Sequence, residues 1–289
     1  MKAKKWIALS LAAVLALALV GCGGAADEPA TGGEAGEELT GSINVEGSDT
    51  MVNLANAWRE AFEVDNPGIM ISVKGGGSGT GIAALINGTV DYANASREIK
   101  DEETAEAQGK GIEAVETEVA KDGIAVVVNP ANGVTGLTLE QLGQIYRGEV
   151  TNWKDVGGND AAIVLLSRDS SSGTYEYFKE EVVGEDAEYA KEAKLLASTQ
   201  AIVDETKSNP NAIGYVGLGY LSPDVKVLEI DGVAASIDTA LDGSYAISRG
   251  LYMYSNGEPT GVMKAYIDWI LSADGQAVVE ELGFVPVAK

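Results

Sequence analysis

The sequence predicts an α/β fold with mostly parallel sheets. From Ser42 onward, short β-branched runs alternate with helical ones, the pattern of helices packed on parallel strands. The run "GIAVVVNP" is apolar almost throughout, as a strand covered on both faces requires. The run "MVNLANAWREAF" places Met51, Leu54, Ala55, Trp58 and Phe62 at helical spacing, which makes one apolar face.

The elements follow in order. "SINVEGS" is a strand ending in a turn, and "MVNLANAWREAF" is the helix after it. "GIMISVKG" is the next strand, "IAALING" a short helix and "VDYANAS" a further strand. "DEETAEAQGK" is a charged surface helix. After the buried strand, "LTLEQLGQIYRG" opens with Thr138 and Gln141 spaced as a capping box and ends on Gly148. "AAIVLLSR" is a strand and "TYEYFKEEVV" a helix. "AIGYVGLGYL", "VKVLEI" and "LYMYSN" follow, and "VMKAYIDWILS" is expected as the C-terminal helix.

The chain starts differently. Lys2, Lys4 and Lys5 precede an apolar run of alanine, leucine and valine that is short for a membrane span. The run ends in "LVGC", which resembles a bacterial lipobox. Residues 1–21 are therefore expected as a lipoprotein signal peptide, with cleavage before Cys22 and lipidation of its thiol and amine. Residues 22–40, rich in glycine, alanine and glutamate, are expected as a flexible tether.

Composition narrows the function classes. The formal net charge of -24 argues against nucleic acid as a partner, because a basic surface drives that binding. Histidine is absent, which removes Ser-His-Asp and Cys-His catalysis and most zinc sites. The single cysteine excludes an internal disulfide.

Three turns share the form Ser-x-Thr: Ser48-Asp49-Thr50, Ser78-Gly79-Thr80 and Ser172-Gly173-Thr174. Each follows an expected strand and opens an expected helix. One such turn is an ordinary helix cap. Three of them gather at the carboxyl ends of the strands of an α/β sheet, where ligands bind. Helix starts offer unpaired N–H groups and a partial positive charge, and the hydroxyls add donors. Together they fit a small tetrahedral oxyanion. "GGGSGTG" matches neither the nucleotide P-loop pattern nor G-x-G-x-x-G, where Thr80 takes the third glycine's place. Its glycines are read as letting backbone amides approach a bare anion. Arg97 and Arg168 sit at strand-to-loop junctions, and a guanidinium fork matches two phosphate oxygens. Their alternative is a surface ion pair, Arg97 with Glu98 or Arg168 with Asp169.

"VEGSDTM", "GGGSGTGIAALINGTVDYANASRE", "KDGIAVVVNP", "LTLEQLGQIYRGEVTNWKDVGG" and "SRDSSSGTYEYF" together resemble the PstS family, the phosphate-binding lipoproteins of bacterial ABC importers. The likeness runs from about Ser42 to the C-terminus. It implies a two-lobed periplasmic-binding-protein fold of type II, with phosphate in the interlobe cleft. It also implies delivery to an ABC permease and its ATPase complex from a lipid-anchored monomer on the extracytoplasmic face of the cell membrane, with no cofactor. The implied ligand contacts are Ser48, Asp49 and Thr50, then Ser78, then Ser96 and Arg97, then Arg168, Ser172, Gly173 and Thr174. Where the best-known family pattern has an aspartate that accepts a phosphate proton, this chain has Arg97. Asp49 is the candidate replacement, and its other reading is a helix cap.

The expected crossings between lobes are near Lys121 and within residues 245–254. Residues 41–121 and 246–289 then form lobe I and residues 122–245 form lobe II, with Arg249 read as structural. Three other functions stay open: capture of another oxyanion (sulfate, molybdate or tungstate), a surface phosphatase, and a purely adhesive or sensory lipoprotein, which would not need Arg168. For the phosphatase, "DVGGND" and "DGSYA" read better as turns than as a metal site.

Overall fold

The computed structural model describes residues 39–287. The expected signal peptide, Cys22 and all but the last two residues of the expected tether lie outside them. No helix among the described residues is long and apolar enough to cross a membrane.

Among the described residues, eleven strands carry the architecture. They are β1 (Gly41–Gly47), β2 (Ile69–Lys74), β3 (Tyr92–Ala95), β4 (Ala114–Val128), β5 (Gly136–Leu137), β6 (Val164–Arg168), β7 (Lys194–Leu196), β8 (Ala212–Gly217), β9 (Lys226–Val227), β10 (Glu229–Ile230) and β11 (Ser248–Asn256). The main sheet runs β2-β1-β3-β11-β4-β8-β6-β7, with β9 also beside β4. Parallel pairing holds within β2-β1-β3 and within β8-β6-β7. Antiparallel β4 and β11 join the two groups. Sequence periodicity does not register that join, because pairing direction is not encoded in the apolar pattern of one strand.

Strand β4 is longer than its apolar run. Its charged first part, Ala114–Gly123, pairs with β11, and Ile124–Val128 pairs with β8. All five residues from Ile124 to Val128 are fully buried, as the uninterrupted apolar run predicts. The change of partner separates the two largest of the apolar clusters. One gathers Ile43, Leu54, Trp58, Phe62, Leu251, Met253 and Phe284. The other gathers Ile124, Val126, Tyr146, Phe178, Tyr215, Tyr245 and Ile247.

The helix Val52–Asp65 buries Leu54, Ala55, Trp58 and Phe62, the face read from its spacing. Trp58 Nε1 donates to Gly275 O at 2.8 Å, and Phe62 packs edge-on against Tyr266 and Trp269. The helix Leu139–Tyr146 carries the expected capping box at Thr138 and Gln141. The expected helix over "TYEYFKEEVV" is α-helical at Gly173–Phe178 and widens to a π-turn over Lys179–Gly184. The expected C-terminal helix, Gly261–Ile270, is followed by another at Ala273–Glu281, so it is not the last. The helix Thr199–Ser208, absent from the sequence reading, starts beside the site.

Candidate anion-binding site

The glycine turn answers to close packing. Gly76 and Gly77 adopt φ of 136° and 96°, the region that favours glycine. Gly77 N donates to Gly47 O at 2.9 Å, which seats the turn on the end of β1. A Cβ on Gly77 would stand 2.4 Å from Ser171 O, so the loop after β6 presses directly on this turn. Gly79 N donates to Ser171 O at 3.1 Å, and Ser171 Oγ donates to Gly76 O at 3.1 Å.

This approach brings hydroxyls from distant segments together. Thr50 Oγ1 and Thr174 Oγ1 share a hydrogen bond of 2.7 Å. Ser78 Oγ lies 3.3 Å from Ser96 Oγ and accepts the Ser96 N–H at 3.0 Å. Gly173 lies against the second pair: a Cβ there would be 2.4 Å from Ser78 Oγ and 3.0 Å from Ser96 Oγ. Ser48, Thr50, Ser78, Ser96, Ser172 and Thr174 are all buried. Ser48 Oγ is buried without a partner, which a native interior tolerates poorly. Ser172 is a cap, its Oγ accepting Tyr175 N–H at 3.4 Å. Thr80 instead turns back to donate to Gly76 O.

The charged groups divide by role. Arg168 is fully buried and donates from Nε to Leu196 O, from Nη1 to Thr199 Oγ1 and from Nη2 to Ala197 O. Asp49 Oδ2 accepts the Thr199 N–H at 2.6 Å and stands 3.6 Å from Arg168 Nη2. Asp49 therefore meets the start of a helix other than its own.

Arg97, expected at the ligand, forks onto Glu103 with two bonds of 2.8 Å and also pairs with Glu176. Its neighbour Glu98 offers a backbone carbonyl rather than its carboxylate. Burial alone would push the Arg97 pKa down; the Glu103 and Glu176 carboxylates override it and hold it above its ordinary value. Lys100 Nζ joins Glu176 at 2.6 Å.

Arg249 reaches the hydroxyl cluster itself. Its Nη2 donates to Thr174 Oγ1 at 2.9 Å and its Nη1 to Ser96 O at 2.8 Å. Asp122 Oδ2 accepts from Arg249 Nη2 at 3.2 Å, and Asp122 Oδ1 accepts the Leu218 N–H at 2.9 Å. Burial raises the Asp122 pKa and lowers that of Arg249, each against the pull of the other's charge. The sequence reading missed this pair. The only trace of Asp122 is a lone acid at the head of a buried apolar run, and its partner lies 127 residues away.

Comparison with known proteins agrees with the fold. Residues 32–274 match the model of the PBP superfamily domain. The chain is 33% identical over 294 residues to the phosphate-binding protein PstS of Bacillus subtilis strain 168, covering 99% of this chain and 95% of that one. It is 36% identical over 297 residues to the protein of the same name from Staphylococcus aureus strain USA300, covering 98% of this chain and 88% of that one. Among solved structures it resembles a putative phosphate ABC transporter substrate-binding protein with bound phosphate from Clostridium perfringens. That likeness has a TM-score of 0.81 at 35% identity, covering 86% of this chain and all of the other. It also resembles an ABC-type phosphate transport receptor from Vibrio cholerae, with a TM-score of 0.70 at 29% identity over 84% of this chain and 99% of that one. The superfamily match over most of its length, with relatives above 30% identity along nearly all of it, means that the chain belongs to the PstS family and has the two-lobed periplasmic-binding-protein fold.

Proposed function

We propose that this chain captures inorganic phosphate between two lobes and delivers it to an ABC permease and its ATPase complex. The observation that carries the reading is the buried hydroxyl cluster of Thr50, Thr174, Ser78 and Ser96, with the Oγ of Ser48, two residues before Thr50, buried and unpartnered. A buried dianion is costly unless many hydrogen bonds surround it. Preset hydroxyls and amides supply those bonds without reorganising. Such a site binds and releases, and the chain acts as a carrier, not an enzyme.

Residues 41–121 with 246–289 form lobe I in this reading, and residues 122–245 form lobe II. The change of partner along β4 after Gly123 and the two separate cores support that division. Ligand bridging the lobes favours the closed form. Arg97, Lys100 and Glu176 form the outer closing contact, and Asp49 on the Thr199 N–H forms an inner one. Cleavage before Cys22 and lipidation there would hold the monomer on the extracytoplasmic face of the membrane.

Phosphate keeps a proton near neutral pH and sulfate does not. A carboxylate at the site repels sulfate and accepts a hydrogen bond from phosphate. We assign this role to Asp49, whose second oxygen, Oδ1, lies toward the glycine turn, 3.3 Å from the Cβ position of Gly75. Calorimetric titration of residues 41–289, stripped of ligand, tests both levels. One-to-one phosphate binding with sulfate silent is the expected result, and tight molybdate, tungstate or sulfate binding instead would remove the phosphate reading. Asp49→Asn should cut the preference for phosphate over sulfate by about 1.5–3 kcal/mol, the worth of a charge-assisted hydrogen bond. Unchanged preference would leave Asp49 as a closing contact alone.

A further inference from the structure

We propose that Arg249 is an anion-binding residue, giving the hydroxyl cluster a full positive charge, and that Asp122 positions it from behind. The inference rests on the phosphate reading and adds to it the residue that carries the charge. Among the described residues, Arg249 is the arginine whose hydrogen bond lands on a hydroxyl of the cluster. Arg168 directs one N–H from each guanidinium nitrogen to Leu196, Thr199 and Ala197, none of which belongs to the hydroxyl cluster.

One guanidinium meets a hydroxyl of one pair and the backbone of the other. Through Nη2 it meets Thr174, whose Oγ1 lies 2.7 Å from Thr50 Oγ1. Through Nη1 it meets the carbonyl of Ser96, whose hydroxyl faces Ser78. The bond to Thr174 has a direction. Because Thr174 Oγ1 accepts from Arg249, its own O–H is free to donate, to Thr50 or to an anion. A charged donor behind a hydroxyl polarises it and makes it a stronger donor.

The location suits the role. Arg249 and Asp122 face each other across β11 and β4, next to the residues where β4 changes partner. The charge thus sits at the seam and reaches Ser96 on one side and Thr174 on the other. Tyr177 closes the far side, its ring centroid 5.7 Å from the guanidinium carbon.

A framework role explains the pair less well. A buried ion pair is a weak source of stability compared with apolar residues of the same volume. Arg249 also keeps its buried Nε without a partner. An anion on the hydroxyls gives such a charge a purpose in a low-dielectric interior.

The test separates charge from folding. Arg249→Met alone leaves Asp122 buried and unpaired, and this variant is expected to fold poorly for that reason only. The double variant R249M/D122N removes both charges and keeps the volume. It should regain thermal stability near that of the parent chain while binding phosphate on the order of 10- to 100-fold more weakly by calorimetry, the loss expected for a charged donor. Arg249→Lys should fall between, since an ammonium keeps the charge and loses the fork. A double variant that folds and binds phosphate as tightly as the parent overturns the inference and leaves the phosphate reading standing. A parent chain that binds no phosphate overturns the phosphate reading itself.

Discussion

Gly173→Ala is expected to weaken phosphate binding roughly 10- to 100-fold while leaving the ligand-free protein at least as stable as before. The methyl group would stand 2.4 Å from Ser78 Oγ, 3.0 Å from Ser78 Cβ and 3.0 Å from Ser96 Oγ. Ser78 is fully buried, and its oxygen already accepts the Ser96 N–H, so it cannot yield without losing that bond. The cost of such overpacking is about 1–3 kcal/mol. It falls on the closed arrangement alone, because Gly173 and Ser78 belong to segments that meet only there in the proposed two-lobe motion. Within its own helix the change is benign: Gly173 is not among the glycines with positive φ, and alanine is the better helix former. Calorimetry reads the affinity, thermal denaturation reads the stability, and small-angle scattering with saturating phosphate reads closure. Undiminished affinity would mean that the Ser78–Gly173 approach is not part of the bound state.

The parts of the site that were legible in the sequence are those set by local chemistry. Ser-x-Thr at a strand end is a local pattern, and two of its three hydroxyl sets do converge. Thr80 shows the limit, since within the same motif its hydroxyl turns back to Gly76 O. The triple glycine was legible as a need for a bare backbone. Its reason was not, because the crowding atom, Ser171 O, comes from a loop far along the chain. The partners of Arg97 show the same difficulty. Glu98 is adjacent in sequence, yet the fork goes to Glu103, in the first turn of the helix Asp101–Gly109, and a further bond goes to Glu176. Burial of Asp122 and Arg249 was illegible for a stronger reason: each is surrounded by strands whose order only the closed sheet defines. The apolar helical face at Leu54, Trp58 and Phe62 needs no such information, and the structure matches it residue for residue.

Arg168→Met should be the most destabilising change at the site, costing about 3–5 kcal/mol. The loss would leave Ala197 O and Thr199 Oγ1 without their donor, Leu196 O with the Asp169 N–H alone, and Asp49 without its nearby cation. Methionine fills much of the space but donates nothing, so the cost comes from unsatisfied polar groups and not from a cavity. For a chain of this size the melting temperature should fall by roughly 6–20 °C. Arg168→Lys should recover part of the loss, because one ammonium cannot serve three acceptors spread across the segment from Leu196 to Thr199. The comparison with Arg249 gives the experiment its force. Arg168 braces the start of the helix Thr199–Ser208, whose first N–H meets Asp49, and so holds the wall of the site. Arg249 touches the Thr174 hydroxyl inside it. Replacing Arg168 should therefore lower stability with or without phosphate, whereas the charge-free R249M/D122N pair should lower affinity with little change in stability. If Arg168→Met melts within about 1 kcal/mol of the parent chain yet loses phosphate, the two arginines have exchanged roles, and the charge at the anion belongs to Arg168.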